Sequence, residues 1–508
     1  MSKVTGVSQT KPFIAIVLFL VLYAWGASNN STLDAWGYAS QIEQGEELLQ
    51  PHHLLYNVLG YCWVQLVGAI IPMDTMGLLK LLNAIFASLS LLVLNKILAL
   101  LRVKEPNRVG WILLVAGSWG IMRFATDNET YIVPIFFSLL GGFFFLKGTE
   151  RSGKGSIFWS GFFSAFAILL HQVMIFWWIA IATGVIVRNR KREIFQFFCP
   201  ALTVPAAYLI AVWLEYGSIR VPVIVKFGLS DYYNGAAKLE FNGRVLLMWL
   251  LSLFRSFFQA HGYMFNLFSQ SWTWVIAGIS AVMLTGYGLT NAIKNGKIQS
   301  SAFKRPVWIF ALAALLHIFF ALLSGGNAEF MAMLPALLAI VLSVIIDINP
   351  KALVITALGM LAWNITIGLI PLKYYTLDGS SMLVNSILAN PQPSKSAYLL
   401  HSEQRIKNEL EYRQISQKPV LLGRARYNTQ QLTDSLEVLL EEGFAVYTDD
   451  YLRPQTVSRE YIVEDHPASD DLWAPFRLIP CDSVVTLTGI YSLYRVLPPV
   501  ASSLPPER

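Results

Sequence analysis

The chain has 508 residues, of which 55% are hydrophobic and only 14% are charged. Soluble domains carry about a quarter charged residues, so this composition excludes a protein that is dissolved in water over most of its length. The formal net charge of +6 comes from short Lys and Arg clusters between apolar stretches, which argues against a nucleic-acid partner and instead reports membrane topology. The cysteines Cys62, Cys199 and Cys481 are far apart, so neither a zinc site nor a disulfide framework is expected.

Apolar stretches near the length needed to cross about 30 Å of hydrocarbon recur between residues 12 and 372. The first, 12–28, follows Lys3 and Lys11 and is interpreted as a retained signal anchor rather than a cleaved signal peptide, because many spans follow it. If all the basic clusters lie in the cytoplasm with the N-terminus, the spans between them must come in even numbers. These clusters are Arg102/Lys104/Arg108, Lys147/Arg151/Lys154, Arg188/Arg190/Lys191/Arg192, Lys294/Lys297/Lys304/Arg305 and Lys351.

This condition decides between two apolar stretches that precede the first of these clusters. Residues 76–101 are predicted to cross the membrane, and 54–72 to form an outer-leaflet helix inside a long first external loop, 29–75. The remaining predicted spans are 109–126, 130–147, 156–173, 174–188, 194–213, 271–293, 306–323, 328–346 and 352–370. The fold class is therefore a polytopic α-helical membrane protein with about eleven transmembrane helices, which places the C-terminus outside.

The composition changes from about residue 373, where charge rises and Asn-Pro-Gln-Pro at 390–393 resembles a linker. Strands are predicted at 419–423 and 444–447 with a helix, 429–442, between them, and alternating residues 484–497 predict one or two further strands. The domain prediction is a transmembrane domain, 1–372, followed by a small external α/β domain, 373–508.

The sequence contains neither a Walker-type phosphate loop nor a dinucleotide-type glycine fingerprint. The predicted external loops, in contrast, gather ionisable residues at the membrane boundary, where such residues are functional candidates by default. Asp34 follows the first span, a Pro-His-His-Leu-Leu-Tyr segment begins at residue 51, and a second external turn is acidic. The candidates are Asp34, His52, His53, Tyr56, Lys80, Arg123, Asp127, Glu129, His171, Arg220 and Lys226.

Structural roles are open for the same residues. Asp34 could cap a juxtamembrane helix, and Asp127 or Glu129 could cap the following span. Lys80 could place its amine at the interface. His171 and the adjacent Gln172 could be satisfied polar groups of a helix turn, and His317 and Asn364 are expected to hydrogen-bond within the helix bundle.

Asp34 soon after the first span, the Pro/His-Leu-Tyr segment and the second acidic turn together resemble the GT-C membrane glycosyltransferases, in particular protein O-mannosyltransferases and lipid A aminoarabinose transferases. The resemblance covers the topology of residues 12–370. It implies inverting transfer of a hexosyl or pentosyl group from a polyprenyl-phosphate donor, with Asp34 as catalytic base and Asp127 or Glu129 as the second acidic site. Family members often have Arg-Tyr before a late Leu-Pro span, whereas this chain has Glu329-Phe330, so another basic residue must contact the phosphate.

The chemistry requires these residue types: a carboxylate takes the proton of a hydroxyl acceptor, and cationic donors stabilise the leaving phosphate. The pool of substrate-binding residues is His52, His53, Tyr56, Lys80, Arg123, His171, Arg220 and Lys226. No cofactor is required, and a divalent cation at the acidic turn is left open. The expected partners are the lipid-linked donor, membrane lipids and an acceptor that is a glycan, a lipid or a protein.

Three other functions compete with this reading: a lipid-linked glycan polymerase or ligase, a flippase for cell-envelope polysaccharide, and a non-enzymatic assembly subunit. A flippase would need charges near the bilayer midplane, whereas the charges singled out here cluster at the predicted outer boundary. The expected location is the inner membrane of a bacterium, with the C-terminal domain in the periplasm.

Overall fold

The computed structural model describes residues 10–149, 155–233, 242–299, 306–454 and 471–498. Some positions used in the sequence analysis lie outside the described residues: Lys3, Arg151, Lys154, Lys304 and Arg305. The α-helices are α1 Thr10–Trp25, α2 Leu33–Gln44, α3 Tyr56–Gly68, α4 Thr75–Leu100, α5 Glu105–Gly117, α6 Trp119–Ala125, α7 Ile132–Thr149, α8 Ser156–Leu170, α9 Ile175–Val187, α10 Lys191–Ala201, α11 Thr203–Tyr216, α12 Val221–Gly228, α13 Ser230–Tyr233, α14 Gly243–Arg255, α15 Tyr263–Gln270, α16 Trp272–Asn295, α17 Trp308–Leu323, α18 Leu334–Ile345, α19 Pro350–Trp363, α20 Ile370–Tyr374, α21 Ser380–Ala389, α22 Glu403–Tyr412 and α23 Thr429–Glu441.

The described β-strands are few and short. They are β1 Lys297–Ile298, β2 Ile346–Asp347, β3 Ser396–Leu400, β4 Val420–Gly423, β5 Ala445–Thr448, β6 Arg477–Thr486 and β7 Gly489–Leu497. The chain divides into two compact units. The helical unit comprises Met1–Asn29, Gln41–Ala260 and Gln270–Lys373, and the sheet unit comprises Asn30–Ser40, His261–Ser269 and Tyr374–Arg508.

Helices occupy all the predicted span positions. Within the described residues, five helical segments are long and apolar enough to cross a membrane: Thr75–Leu100, Ile132–Thr149, Lys191–Tyr216, Trp272–Asn295 and Pro350–Tyr374. Shorter apolar helices occupy the predicted spans 12–28, 156–173, 174–188, 306–323 and 328–346, with Thr10–Trp25 at the first of them. At the predicted span 109–126 the structure has the two short helices α5 and α6. The chain is therefore an integral membrane protein. Helix α3 lies where the outer-leaflet helix 54–72 is predicted.

The predicted span 109–126 is broken at Ser118, whose extended backbone separates α5 from α6. The backbone groups freed by the break have other partners: the Trp119 amide donates to the Phe257 carbonyl at 3.1 Å, and Asn364 Nδ2 donates to the Gly117 carbonyl at 2.7 Å. Asn364 Oδ1 also accepts from the Gln259 amide at 2.7 Å. An unsatisfied backbone group is costly in an apolar surrounding. The helix can therefore be interrupted at Ser118 because Phe257 and Asn364 hydrogen-bond to the backbone groups on either side.

The sheet unit contains a five-stranded sheet in the order β4-β3-β5-β7-β6. Strand β3 pairs in parallel with β4 and β5, β7 is antiparallel to β5, and β6 forms the far edge. The central β3 is buried on both faces, as expected of a parallel strand covered by helices. Tyr398 and Leu400 pack with α21 and α22, and Ala397 and Leu399 pack with α23.

Most of the strands and the helix predicted in residues 419–497 are present in this unit. The predicted strands at 419–423 and 444–447 correspond to β4 and β5, and the predicted helix 429–442 corresponds to α23. Residues 484–497 contribute to two strands, β6 and β7. The central strand β3 was not predicted, because Ser-Ala-Tyr-Leu-Leu is a short apolar run that directly follows the linker-like segment.

Candidate functional site

The second acidic turn, residues 126–130, connects α6 to α7, and all of its residues are buried. Its backbone is held from two other helices of the helical unit. Asn83 Nδ2 of α4 donates to the carbonyls of Asp127 at 2.7 Å and Glu129 at 2.8 Å, and the Tyr56 hydroxyl of α3 donates to the Glu129 carbonyl at 3.2 Å. Hydrogen bonds from α3 and α4 therefore hold the backbone of the turn in place.

Two cationic side chains share the carboxylate of Asp127, which is fully buried. Arg123 Nη1 lies 2.8 Å from Asp127 Oδ2, and Lys80 Nζ lies 3.9 Å from Oδ1. Lys80 Nζ also donates to the Ser28 carbonyl at 2.6 Å. Both cations are mostly buried, with side-chain exposures of 16% for Arg123 and 12% for Lys80. We call these three residues the charge cluster; its formal charge is +1.

The charge cluster does not fit a divalent cation. The Asp127 carboxylate is already neutralised by Arg123 and Lys80, so a metal ion there would meet two positive charges. Within the described ranges, no three His, Cys, Asp or Glu side chains are grouped so that they could hold a metal ion. A cluster of net positive charge instead suits an anion such as a phosphate group.

Three histidines gather where the turn Pro51–His53 meets the end of α8. The ring centroids of His52 and His53 are 4.7 Å apart, and those of His53 and His171 are 6.5 Å apart. His52 Nδ1 lies 3.4 Å from Asp231 Oδ2. Burial lowers the pKa of His53 well below its ordinary value, and His52 and His171 lower it further. His53 is therefore neutral at pH 7 and contributes no charge to phosphate binding.

Gln172 and Tyr208 anchor this histidine turn. Gln172 Nε2 donates to the Pro51 carbonyl at 2.9 Å and to the Tyr208 hydroxyl at 2.8 Å, and the Tyr208 hydroxyl donates to the same carbonyl at 2.5 Å. The imidazole Nδ1 of His171 accepts from the Val173 amide at 3.2 Å. His171 and Gln172 are therefore satisfied polar groups of a helix turn, which is the structural role considered for them above.

Glu329, which precedes the Leu-Pro of α18, accepts a hydrogen bond from a residue that follows the acidic turn. The Tyr131 hydroxyl donates to Glu329 Oε2 at 3.0 Å, and Asn327 Nδ2 donates to the same oxygen at 3.2 Å. The Tyr131 ring also lies 4.8 Å from that of His171. Glu329 thus has a structural hydrogen-bonding role, and the cations of the helical unit that lie beside the acidic turn are Lys80 and Arg123.

Asp34 lies in the first turn of α2, within the sheet unit, and is exposed. The residue that caps this helix is Thr32, whose Oγ1 accepts from the Ala35 amide at 3.1 Å. Asn408 Nδ2 of α22 donates to the Leu33 carbonyl at 3.0 Å. Asp34 is therefore not needed as the N-cap, and its turn is held in place by α22.

Arg220 and Lys226, which were predicted to bind substrate, do not contact the charge cluster. Arg220 is exposed, and its Nε donates to the Ser218 hydroxyl at 3.1 Å. Lys226 is exposed in the last turn of α12. Nothing in the described contacts connects either side chain to Asp127.

The sequence alone did not single out Asn83, Tyr131, Asp231 or Asn128, whose Oδ1 accepts from the Tyr56 hydroxyl at 3.1 Å. Asn83 could have been found, because it lies three residues after Lys80 in an apolar helix, and polar residues in such helices mark functional or packing positions. Tyr131 and Asp231 act through contacts with residues far away in the sequence, so no local pattern indicates them.

The fold of this chain is similar to that of solved structures of ArnT. No protein family model matches the chain, and no curated protein sequence matches it. The structure of ArnT from Cupriavidus metallidurans bound to undecaprenyl phosphate superimposes with a TM-score of 0.58 and 12% identity, over 98% of this chain and 100% of that chain. ArnT in the apo state gives 0.55 and 13% identity, over 97% of this chain and 98% of that chain.

The S. cerevisiae protein O-mannosyltransferase Pmt1-Pmt2 complex bound to the sugar donor shares 16% identity, over 42% of this chain and 34% of that chain. Its TM-score of 0.36 supports no inference. The two ArnT structures suffice to establish that this chain has the fold of ArnT, a GT-C superfamily member. The GT-C resemblance predicted from the sequence is thereby confirmed for the fold.

Proposed function

We propose that this chain is an inverting glycosyltransferase that uses a polyprenyl-phosphate-linked sugar as donor and acts on the external face of the membrane. The observation that carries the proposal is the likeness to ArnT over 98% of this chain, since that ArnT structure is bound to undecaprenyl phosphate. The charge cluster adds independent support, because it offers two cations to an anion at one place in the helical unit.

In the proposed reaction, the acceptor hydroxyl oxygen forms a bond to the anomeric carbon of the sugar. Its proton goes to the Asp34 carboxylate, which acts as general base. The bond between the anomeric carbon and the phosphate oxygen breaks, and the lipid phosphate leaves with the electron pair. Displacement from the opposite side inverts the anomeric configuration.

Lys80 and Arg123 are proposed to stabilise the charge that the leaving phosphate gains, which is how preorganised cations accelerate such steps. Asp127 is then a positioning residue: buried between the two cations, it holds them and contacts neither donor nor acceptor. Glu129 is proposed to belong to the same turn-holding arrangement, since its carbonyl accepts from both Asn83 and Tyr56.

Purified protein in lipid nanodiscs should transfer sugar from an undecaprenyl-phosphate donor and leave nucleotide sugars untouched. The assay offers hexosyl and pentosyl lipid donors in parallel with UDP- and GDP-linked sugars, and product is measured by mass spectrometry. Turnover with a nucleotide sugar alone would contradict the proposal. Movement of the lipid-linked sugar across the bilayer without transfer would indicate the competing flippase, and chain extension would indicate a polymerase.

The proposed topology is eleven crossings with the N-terminus in the cytoplasm and residues 373–508 outside, in the inner membrane of a bacterium. Cys481 is exposed on β6 and should react with an impermeant thiol reagent in intact spheroplasts. The residue is exposed, but its sulfur is partly buried where it donates to the Leu493 carbonyl at 3.2 Å, and this desolvation raises the pKa of the thiol. The reaction is therefore run at pH 8.5, and Glu437→Cys on the exposed face of α23 is a second reporter.

The labelled protein carries Cys62→Ser and Cys199→Ser, so that Cys481 is its only thiol among the native cysteines. A Cys199-only protein is the control, because that residue lies in the predicted span 194–213 and should not be labelled from outside. Labelling of both tail reporters only after lysis would place the tail in the cytoplasm and overturn the topology.

A further inference from the structure

The sheet unit contains an open groove of about 470 Å³ between helix α21 and the edge strand β6. Ligand sites in proteins usually have volumes of about 300–1,000 Å³, so the groove has room for a small organic ligand. Its polar lining consists of Thr376, Ser381, Asn385, Ser386, Asp482 and Ser483. We call it the α21–β6 groove.

The lining selects for hydrogen-bonding ligands without negative charge. Hydroxyl and amide groups, which both donate and accept hydrogen bonds, make up the polar lining apart from one carboxylate, that of Asp482. Among the described residues that line the groove there is no Lys or Arg side chain. A phosphate, an acidic sugar or a nucleic acid would therefore meet a negative charge and find no cation to pair with.

Three of the six polar lining residues have side chains available to a ligand. Within the part of the chain that the structure describes, the side chains of Ser381, Asn385 and Ser483 make no hydrogen bond to protein. They point from two elements toward the same space. Met382, Ala389 and Val484 add apolar surface to the lining. A mixture of many neutral hydrogen-bonding groups with small apolar patches matches a sugar, whose hydroxyls alternate with C–H faces.

The two walls of the groove are rigidly connected. The Ser386 hydroxyl of α21 donates to the Asp482 carboxylate of β6. Beneath the groove, Leu383 and Ile387 of α21 are buried in the core against β3, at 3% and 1% exposure. The lining side chains therefore project from a packed framework, which reduces the entropy that a ligand must pay to order its site.

We propose that the α21–β6 groove is a binding site for a short neutral saccharide. If the chain is the glycosyltransferase proposed above, the groove holds the glycan part of an acceptor; that link rests on the proposed function, whereas saccharide binding by the groove does not. The other occupant to be distinguished is an extended peptide, which could pair with β6, the last strand of the sheet among the described residues.

The test is binding of full-length protein in nanodiscs to a glycan array that carries neutral, amino and acidic saccharides, with no donor present. We expect binding to neutral glycans and none to acidic ones. Asn385→Trp should fill the groove and reduce binding at least tenfold. Leu388→Trp is the matched control, because Leu388 is exposed on the same helix but does not line the groove, and it should bind as the wild type does.

Asp482→Asn keeps the side-chain size and removes the charge, so it should admit acidic glycans that the wild type rejects. Absence of neutral-glycan binding, or equal loss in both tryptophan variants, would overturn the proposal. Binding of an unstructured peptide library that Asn385→Trp abolishes, with no glycan bound, would assign the groove to peptides instead. Because no transfer is measured, a negative result here is distinct from failure of the glycosyltransferase proposal.

Discussion

Asp34→Asn should lower the transfer rate by about a hundred- to ten-thousand-fold, because a general base contributes that much to proton transfer. The amide cannot take the proton of the acceptor hydroxyl. Donor binding should persist, since the proposed phosphate contacts are Lys80 and Arg123. The measurement is single-turnover transfer, with donor affinity and thermal unfolding determined on the same preparation.

Thr32→Ala is the control that separates loss of the helix cap from loss of the Asp34 carboxylate. Thr32 caps α2, so Asp34→Asn leaves this cap in place, and loss of the interaction between the carboxylate and the helix N-terminus should cost about 0.3–1 kcal/mol. Thr32→Ala removes the cap itself and should cost about 0.5–2 kcal/mol while leaving the carboxylate in place. We therefore expect the less stable Thr32→Ala protein to remain active. Turnover near the wild-type rate in Asp34→Asn would remove Asp34 from the mechanism.

Asp127→Asn should destabilise the protein by about 3–5 kcal/mol, because it leaves two largely buried cations without their shared carboxylate. Transfer should fall as well, since Arg123 and Lys80 lose the group that positions them. The measurements are thermal unfolding in detergent and transfer at a temperature where the variant is still folded.

Two further variants separate stability from function. Arg123→Met combined with Asp127→Leu leaves no unpaired charge in that pair, so much of the stability should return while transfer stays low. Lys80→Met leaves the Arg123–Asp127 pair intact and should reduce transfer with a smaller change in stability. Recovery of wild-type transfer in the double variant would show that the cluster is a structural ion pair only.

The apolar helices and most strands of the tail could be predicted, because hydrophobic length and alternation are local properties of the sequence. The hydrogen-bonding roles expected for His317 and Asn364 are likewise confirmed: His317 Nδ1 lies 3.0 Å from the Phe330 carbonyl, and Asn364 bridges two chain segments. Polar residues in apolar helices have few alternatives to such bonds.

The pairing inside the candidate site could not be predicted in the same way. Arg123 and Asp127 are four residues apart, but α6 ends at Ala125, so their contact depends on the conformation of the turn rather than on helical periodicity. Lys80 reaches the same carboxylate from another helix. The grouping of Asp34 with the sheet unit also depends on contacts with α22, nearly four hundred residues later.

The break at Ser118 bears on the order in which the protein can mature during synthesis. The groups that satisfy it belong to Phe257 and Asn364, so the ribosome makes the broken helix well before its partners exist. Until then, the Gly117 carbonyl must be hydrated or temporarily bonded elsewhere, since leaving it bare in hydrocarbon costs several kcal/mol. Final burial of α5 and α6 is thus a late event in biogenesis, completed only after residue 364 has been translated.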